Sequence, residues 1–166
     1  MKIIQSLILA FVLGLFFSCT NDDASFEKTI SYKIEAALLA SEIPSNEDED
    51  LEIYGEISVD IELDKNVLEE KVLWSRNREN YIIVGKTEVM LDNQIDFSID
   101  KNNIDSSSIR FRAILKDYDR NNELDRLGTV FFRHQLTRQP QEIELKFNNT
   151  EGNTVIARFK IQPIRD

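Results

Sequence analysis

Residues 51–63 read LEIYGEISVDIEL. Leu51, Ile53, Gly55, Ile57, Val59, Ile61 and Leu63 occupy alternate positions, with Glu52, Tyr54, Glu56, Ser58, Asp60 and Glu62 between them. Successive side chains of a strand point to opposite sides, so this stretch predicts a strand with one apolar and one polar face. One buried face and one wet face are the mark of an antiparallel sheet.

The same alternation continues on both sides. Upstream, Ile30, Tyr32, Ile34 and Ala36 predict a strand over 30–39. Downstream, strands are predicted over 72–75, 81–90, 95–99, 109–115, 129–133, 142–147 and 155–161. Polar clusters at 92–93, 101–107 and 148–153 read as turns. Residues 66–71 carry a trace of helical periodicity too short to define a helix. About eight short strands predict an all-β fold, an antiparallel two-sheet β-sandwich. The chain holds ten Phe, and Trp74, Phe97, Phe111 and Phe132 are the expected aromatic core.

The N-terminus has a different character. Residues 1–18 read MKIIQSLILAFVLGLFFS. Lys2 precedes an apolar run, Ile3 to Phe17, shorter than the roughly 20 residues a transmembrane helix needs. The pattern fits a secretory signal. The single cysteine, Cys19, falls at its boundary and has no disulfide partner within the chain. The run LFFSC, with small Ser18 before Cys19, resembles a lipobox, although Phe16 and Phe17 are bulkier than the usual residues. That resemblance implies a signal peptide over 1–18, lipidation at Cys19, a tether over 19–28 and a domain over 29–166. An ordinary secretory signal with an incidental cysteine is the competing reading. Each buried acyl methylene adds ~0.8 kcal/mol to anchoring. Asp22-Asp23 resembles the surface-export tag of Bacteroidota lipoproteins, and a solvated tether is its alternative. The expected location is the cell envelope, as an outer-membrane lipoprotein that could face the surface.

The chain carries a formal net charge of −10, and loss of Lys2 with the signal makes it more negative. This argues against nucleic acid as a partner and against direct attraction to an anionic membrane. A divalent cation would reverse the sign locally.

Carboxylates gather in residues 117–128, DYDRNNELDRLG. Asp117 and Asp119 are two apart, so in an extended backbone both leave one face. Asn121 and Asn122 help the chain turn, and Asp125 follows. Three converging carboxylates make a hard oxygen site suited to calcium, which accepts six to eight oxygens in irregular geometry and relieves their repulsion. The EF-hand is excluded: its sixth position holds Asn122 instead of Gly, and its twelfth holds Gly128 instead of Glu. The segment resembles the third calcium loop of the C2 domain, with Asp117, Tyr118, Asp119, Arg120, Asp125 and Gly128 in that loop's places. Around it, the strand from Ile30 leads into a second acidic loop, Glu42 to Asp50, ahead of the strand at 51. The resemblance covers about residues 28–162. It implies a C2-like calcium-binding sandwich with Asp117, Asp119 and Asp125 as main ligands, completed by Asp48 and Asp50. Two departures stand out: no Pro-Tyr opens the strand after the 42–50 loop, and the polybasic strand that binds inositol phospholipids is not evident. Ile53-Tyr54-Gly55 with the same acidic loop also resembles C-terminal modules of some Bacteroidota cytolysin-like proteins. The competing reading makes both acidic loops solvated turns. Calcium, if bound, could be a structural tie between loops. Ile43 and Leu124 are the apolar loop residues available for membrane insertion, or for the core.

Little points to an enzyme. His134 is the only histidine and is expected at a solvated or edge position. Lipidation would remove the Cys19 nucleophile. The five glycines form no phosphate loop. Carboxylate pairs of the glycosidase type exist, but a small sandwich offers no obvious cleft. The expectation is a non-enzymatic binding or adhesion module at the envelope, held to the membrane by lipid, whose partner is a phospholipid, a glycan or an envelope protein. The alternatives are an accessory lipoprotein without functional metal and a carbohydrate-binding surface lipoprotein, the latter resting on Tyr54.

Overall fold

The alternation at 51–63 builds the central strand of one of two antiparallel sheets. The computed structural model describes residues 28–44, 50–118 and 126–164. Its strands are β1 (Thr29–Glu42), β2 (Leu51–Leu63), β3 (Asn66–Arg76), β4 (Ile82–Val84), β5 (Val89–Met90), β6 (Ile95–Asp100), β7 (Ser107–Asp117), β8 (Arg126–Gln135), β9 (Gln141–Asn148) and β10 (Thr154–Ile164). A 3₁₀ turn, Lys101–Ser106, links β6 to β7. One sheet runs β5-β1-β10-β9, with β6 also on β1. The other runs β3-β2-β7-β8, with β4 also on β2. The expected two-sheet antiparallel sandwich is therefore what the structure shows.

The core lies between the two inner faces. Ile57, Val59 and Ile61 of β2 are buried together with Tyr32, Ile34 and Leu38 of β1. Phe111 of β7 packs across the sandwich on Phe159 of β10, ring centroids 4.4 Å apart. Each such side chain contributes about 1.5–3 kcal/mol on leaving water. Tyr32 stacks on Phe97 at 5.3 Å and donates its hydroxyl to the Thr137 carbonyl at 3.0 Å. Burial pushes its phenol pKa up, against the opposing charge of Arg138. Gly55 lies in the apolar row for a steric reason. A Cβ there would sit 2.0 Å from the Ile114 carbonyl oxygen, and its φ of +137° suits glycine.

Four expectations need correction. Residues 66–71 are the first half of β3, not a helical turn; Asp64 and Lys65, with φ of 50° and 68°, make a two-residue hairpin loop from β2. The single strand expected over 81–90 is two short pieces in different sheets, because the chain crosses over at Gly85, whose carbonyl accepts the Ala40 N–H at 2.9 Å. Phe132 is not core: it lies on the edge strand β8 and is 39% exposed. The polar face of β2 is not wet along its length, since Ser58, Asp60 and Glu62 are as buried as the apolar face. Trp74, Phe97 and Phe111 are buried as expected. Cys19, the expected signal peptide over 1–18 and all of the expected tether but Lys28 lie outside the described residues. Lys28 is tied into the fold, its carbonyl accepting the Lys101 N–H at 2.7 Å.

Candidate functional site

Strand pairing brings the flanks of both acidic loops to one end of the molecule. β2 begins at Leu51 and β7 ends at Asp117, and the two run antiparallel with Ile53 opposite Asp117. The β1–β2 and β7–β8 connections therefore leave the same end of their sheet. Glu52 fastens this corner through its backbone: its carbonyl accepts the Tyr118 N–H at 2.8 Å, and its own N–H donates to Asp117 Oδ1 at 2.9 Å. Asp117 is thus half-buried with one oxygen turned onto the β2 backbone. Tyr118 is held in turn by Tyr81, 5.7 Å away, and by the Arg78 guanidinium 4.6 Å from its ring centroid.

Asp50 is exposed, and its Oδ1 lies 2.1 Å from where a Cβ on Gly85 would stand. The missing side chain of Gly85 makes room for this carboxylate. At the same end, Thr154 Oγ1 is 3.0 Å from Glu42 Oε2 and 3.0 Å from Asn148 Oδ1. Ile43 packs against the core, which removes it from the residues free to enter a membrane. Pro44 of the β1–β2 connection approaches Gly152 of the β9–β10 turn.

Of the five expected metal ligands, Asp50 and Asp117 are described and sit at this end. Asp48, Asp119 and Asp125, like Leu124, lie outside the described residues. Among the described residues no three metal-ligating side chains form a group. Those present nonetheless suit a hard cation in type, because the donors are carboxylate and amide oxygens. In the β9–β10 turn, Asn153 Oδ1 and Asn149 Nδ2 are both buried with no partner among the described residues, an acceptor and a donor in one turn. An acceptor oxygen left in that state is costly unless a donor or cation meets it. His134 is remote, at the far end of β8 opposite Ile109. It is half-buried, 2.6 Å from the Gln141 amide, and burial holds its pKa below the ordinary value against the Gln141 bond.

A second polar constellation was missed by the sequence reading. On the outer face of the β3-β2-β7-β8 sheet, Asp60 and Glu62 lie under a lid of three arginines. Arg110 reaches Asp60 Oδ2 at 2.9 and 2.5 Å, and Arg112 joins Asp60 to Glu70. Arg133 forks onto Glu62 at 2.6 and 3.0 Å, and Ser108 donates to Glu62 at 3.0 Å. Burial pushes the Glu62 pKa up, but the Arg133 and Ser108 hydrogen bonds and the charges of Arg133 and Arg110 outweigh it, leaving it below the ordinary value. The signal was present in the sequence: Arg110 and Arg112 alternate with Phe111 and Ala113, in register with Asp60 and Ser58.

Comparison with solved structures finds similar folds. A C2 domain of plant Extended Synaptotagmin 1 matches at TM-score 0.32 and 11% identity, over 84% of this chain and 97% of its own. A C2 domain protein from Ramazzottius varieornatus matches at 0.35 and 16%, over 82% and 92%. The Cry23Aa1 and Cry37Aa1 binary protein complex matches at 0.47 and 14%, over 81% and 99%. At these levels no residue's role carries over to this chain. No family model and no curated protein matches the sequence.

Proposed function

We propose that this chain is a binding module of the cell envelope, anchored by lipid on Cys19, that holds calcium in the acidic loops at one end of its sandwich. The observation that supports this reading is the pairing of β2 with β7, which brings Asp50 and Asp117 to the same end of one sheet. Asp48 from the first loop and Asp119 and Asp125 from the second complete the proposed donor set. Calcium would neutralise carboxylates in a chain of net charge −10 and tie the two loops together. The loop end would then present a rigid, less acidic surface to a phospholipid, a glycan or an envelope protein.

Asp119→Asn tests the assignment. It keeps the size and one oxygen donor but removes the charge. Titration calorimetry should show calcium affinity lowered by at least about tenfold, the worth of roughly 1.4 kcal/mol. Unchanged affinity would remove Asp119 from the site. Lipidation is tested separately: Cys19→Ser should release the protein from the membrane fraction.

A further inference from the structure

β8 is an outer strand of its sheet, paired with β7 along one side. The register decides which backbone groups the other side presents. The Leu136 N–H donates to the Ser107 carbonyl at 3.0 Å, and Ser108 stands opposite Gln135. In an antiparallel ladder this makes Val130, Phe132 and His134 the residues bonded to β7. Thr129, Phe131 and Arg133 therefore turn their N–H and C=O groups outward. None of the three has another backbone partner among the described residues. Such a row invites a further strand, and proteins ordinarily blunt it. The other long edges are blunted. β3 carries two register shifts and the run Glu69-Glu70-Lys71. β9 alternates exposed Glu142, Glu144 and Lys146 with buried residues. β8 pairs without a shift from Thr129 to Gln135, and at its middle Phe131 is 68% exposed.

Charge selects the occupant. Residues 126–141 hold Arg126, Arg133 and Arg138 and no carboxylate, in a chain of net charge −10. Arg126 and Arg138 donate to the Thr129 hydroxyl and the Lys101 carbonyl, acceptors without charge. A second copy would bring the same arginines to the edge, whereas an acidic strand is attracted to it. We propose that β8 is a docking edge for an extended acidic segment of another protein, which joins the sheet antiparallel as its next strand. The two faces of β8 set the pattern of that segment. Val130 packs on the core and Phe132 lies on the same side of the strand, so apolar residues belong there. Thr129, Phe131 and Arg133 lie on the other side, where carboxylates meet the arginines. The edge is separate from the acidic loops, and docking on it does not depend on calcium.

The probe is a blocked peptide of about eight residues, glutamate alternating with valine. In the full chain the amides of Val130, Phe132 and His134 should exchange slowly with solvent, and those of Thr129, Phe131 and Arg133 fast. Saturating peptide should slow the second set at least about tenfold, and lysine in place of glutamate should weaken binding at least about tenfold. N-methylation of the glutamates, which stand opposite Phe131 and its outward neighbours, removes the N–H groups aimed at β8 and keeps the charge; it should abolish binding. Phe131→Pro deletes an N–H that makes no bond within the sheet, so the fold should survive and the peptide should be lost. No slowing of the Thr129, Phe131 and Arg133 amides would overturn the proposal. So would equal affinity for the lysine peptide, or binding that survives N-methylation or Phe131→Pro in a folded chain. Protection of those amides that grows with protein concentration alone would assign the edge to a second copy and overturn it as well.

Discussion

Glu62 shows how a single side chain can belong to a different environment than its strand position suggests. It alternates with apolar residues as a solvent-facing glutamate should, yet it is fully buried. No local pattern in 51–63 contains the reason, because the arginines that cover it come from β7 and β8. Its carboxylate depends on Arg133, Arg110 and Ser108, whereas Arg133 is still 43% exposed at the rim. Removing the two partners should therefore be unequal. Glu62→Ala should cost about 3 kcal/mol, since it empties a fully buried site and leaves the Ser108 hydroxyl and the Arg110 and Arg133 guanidiniums without their acceptor. Arg133→Ala should cost less, because Arg110 and Ser108 still serve Glu62. Urea melts of both variants check the order, and equal losses would contradict it. The pH dependence follows from the lowered pKa. Glu62 contributes stability above the ordinary glutamate value of about 4.3, and that contribution is lost as pH falls through its folded value. Glu62→Gln should flatten this acid limb. Gly55 makes the same point sterically: Gly55→Ala would drive a Cβ into the Ile114 carbonyl and cost at least about 3 kcal/mol. Melting like the parent would show that β2 and β7 can separate there.

At the scale of elements, what the sequence made legible depended on whether a strand has a layer opposite it. β7, β9 and β10 bury one face, β2 adds the arginine-covered Ser58, Asp60 and Glu62 on its other face, and the apolar alternation of all four was readable with ends close to those observed. β3 begins at an edge: Val67 and Leu68 are 48% and 58% exposed. With nothing packed over it, 66–71 shows no period of two, and Asp64-Lys65 lacks the Asn-Gly form of a strong hairpin signal. The 81–90 stretch was apolar enough for one strand, but a change of sheet within it leaves no mark in hydropathy. β8 misled through the identity of its residues. Phe132 reads as a core residue in the sequence, yet it and its neighbour Phe131 stand 39% and 68% exposed on a sheet edge. Phe131→Ser should change stability by less than about 0.5 kcal/mol, whereas Phe159→Ala, at the centre of the sandwich, should cost about 3–5 kcal/mol. Thermal melts of the pair distinguish the edge from the core.

For the whole molecule, the two-sheet sandwich was legible because period-two patterning recurs along almost the entire domain. The site was legible only in composition. Aspartate spacing at 117, 119 and 125 named a chemistry, but the partnership of the two loops rests on the antiparallel pairing of β2 with β7, a contact between residues more than fifty positions apart. Calcium bound at the acidic end, as proposed, would change the melting temperature of residues 20–166 between calcium and chelator. With free calcium at one hundred times Kd, binding to the folded state should add about 2.7 kcal/mol and raise Tm by several degrees. Identical Tm values in calcium and in chelator would contradict the claim and leave the acidic loops as solvated turns.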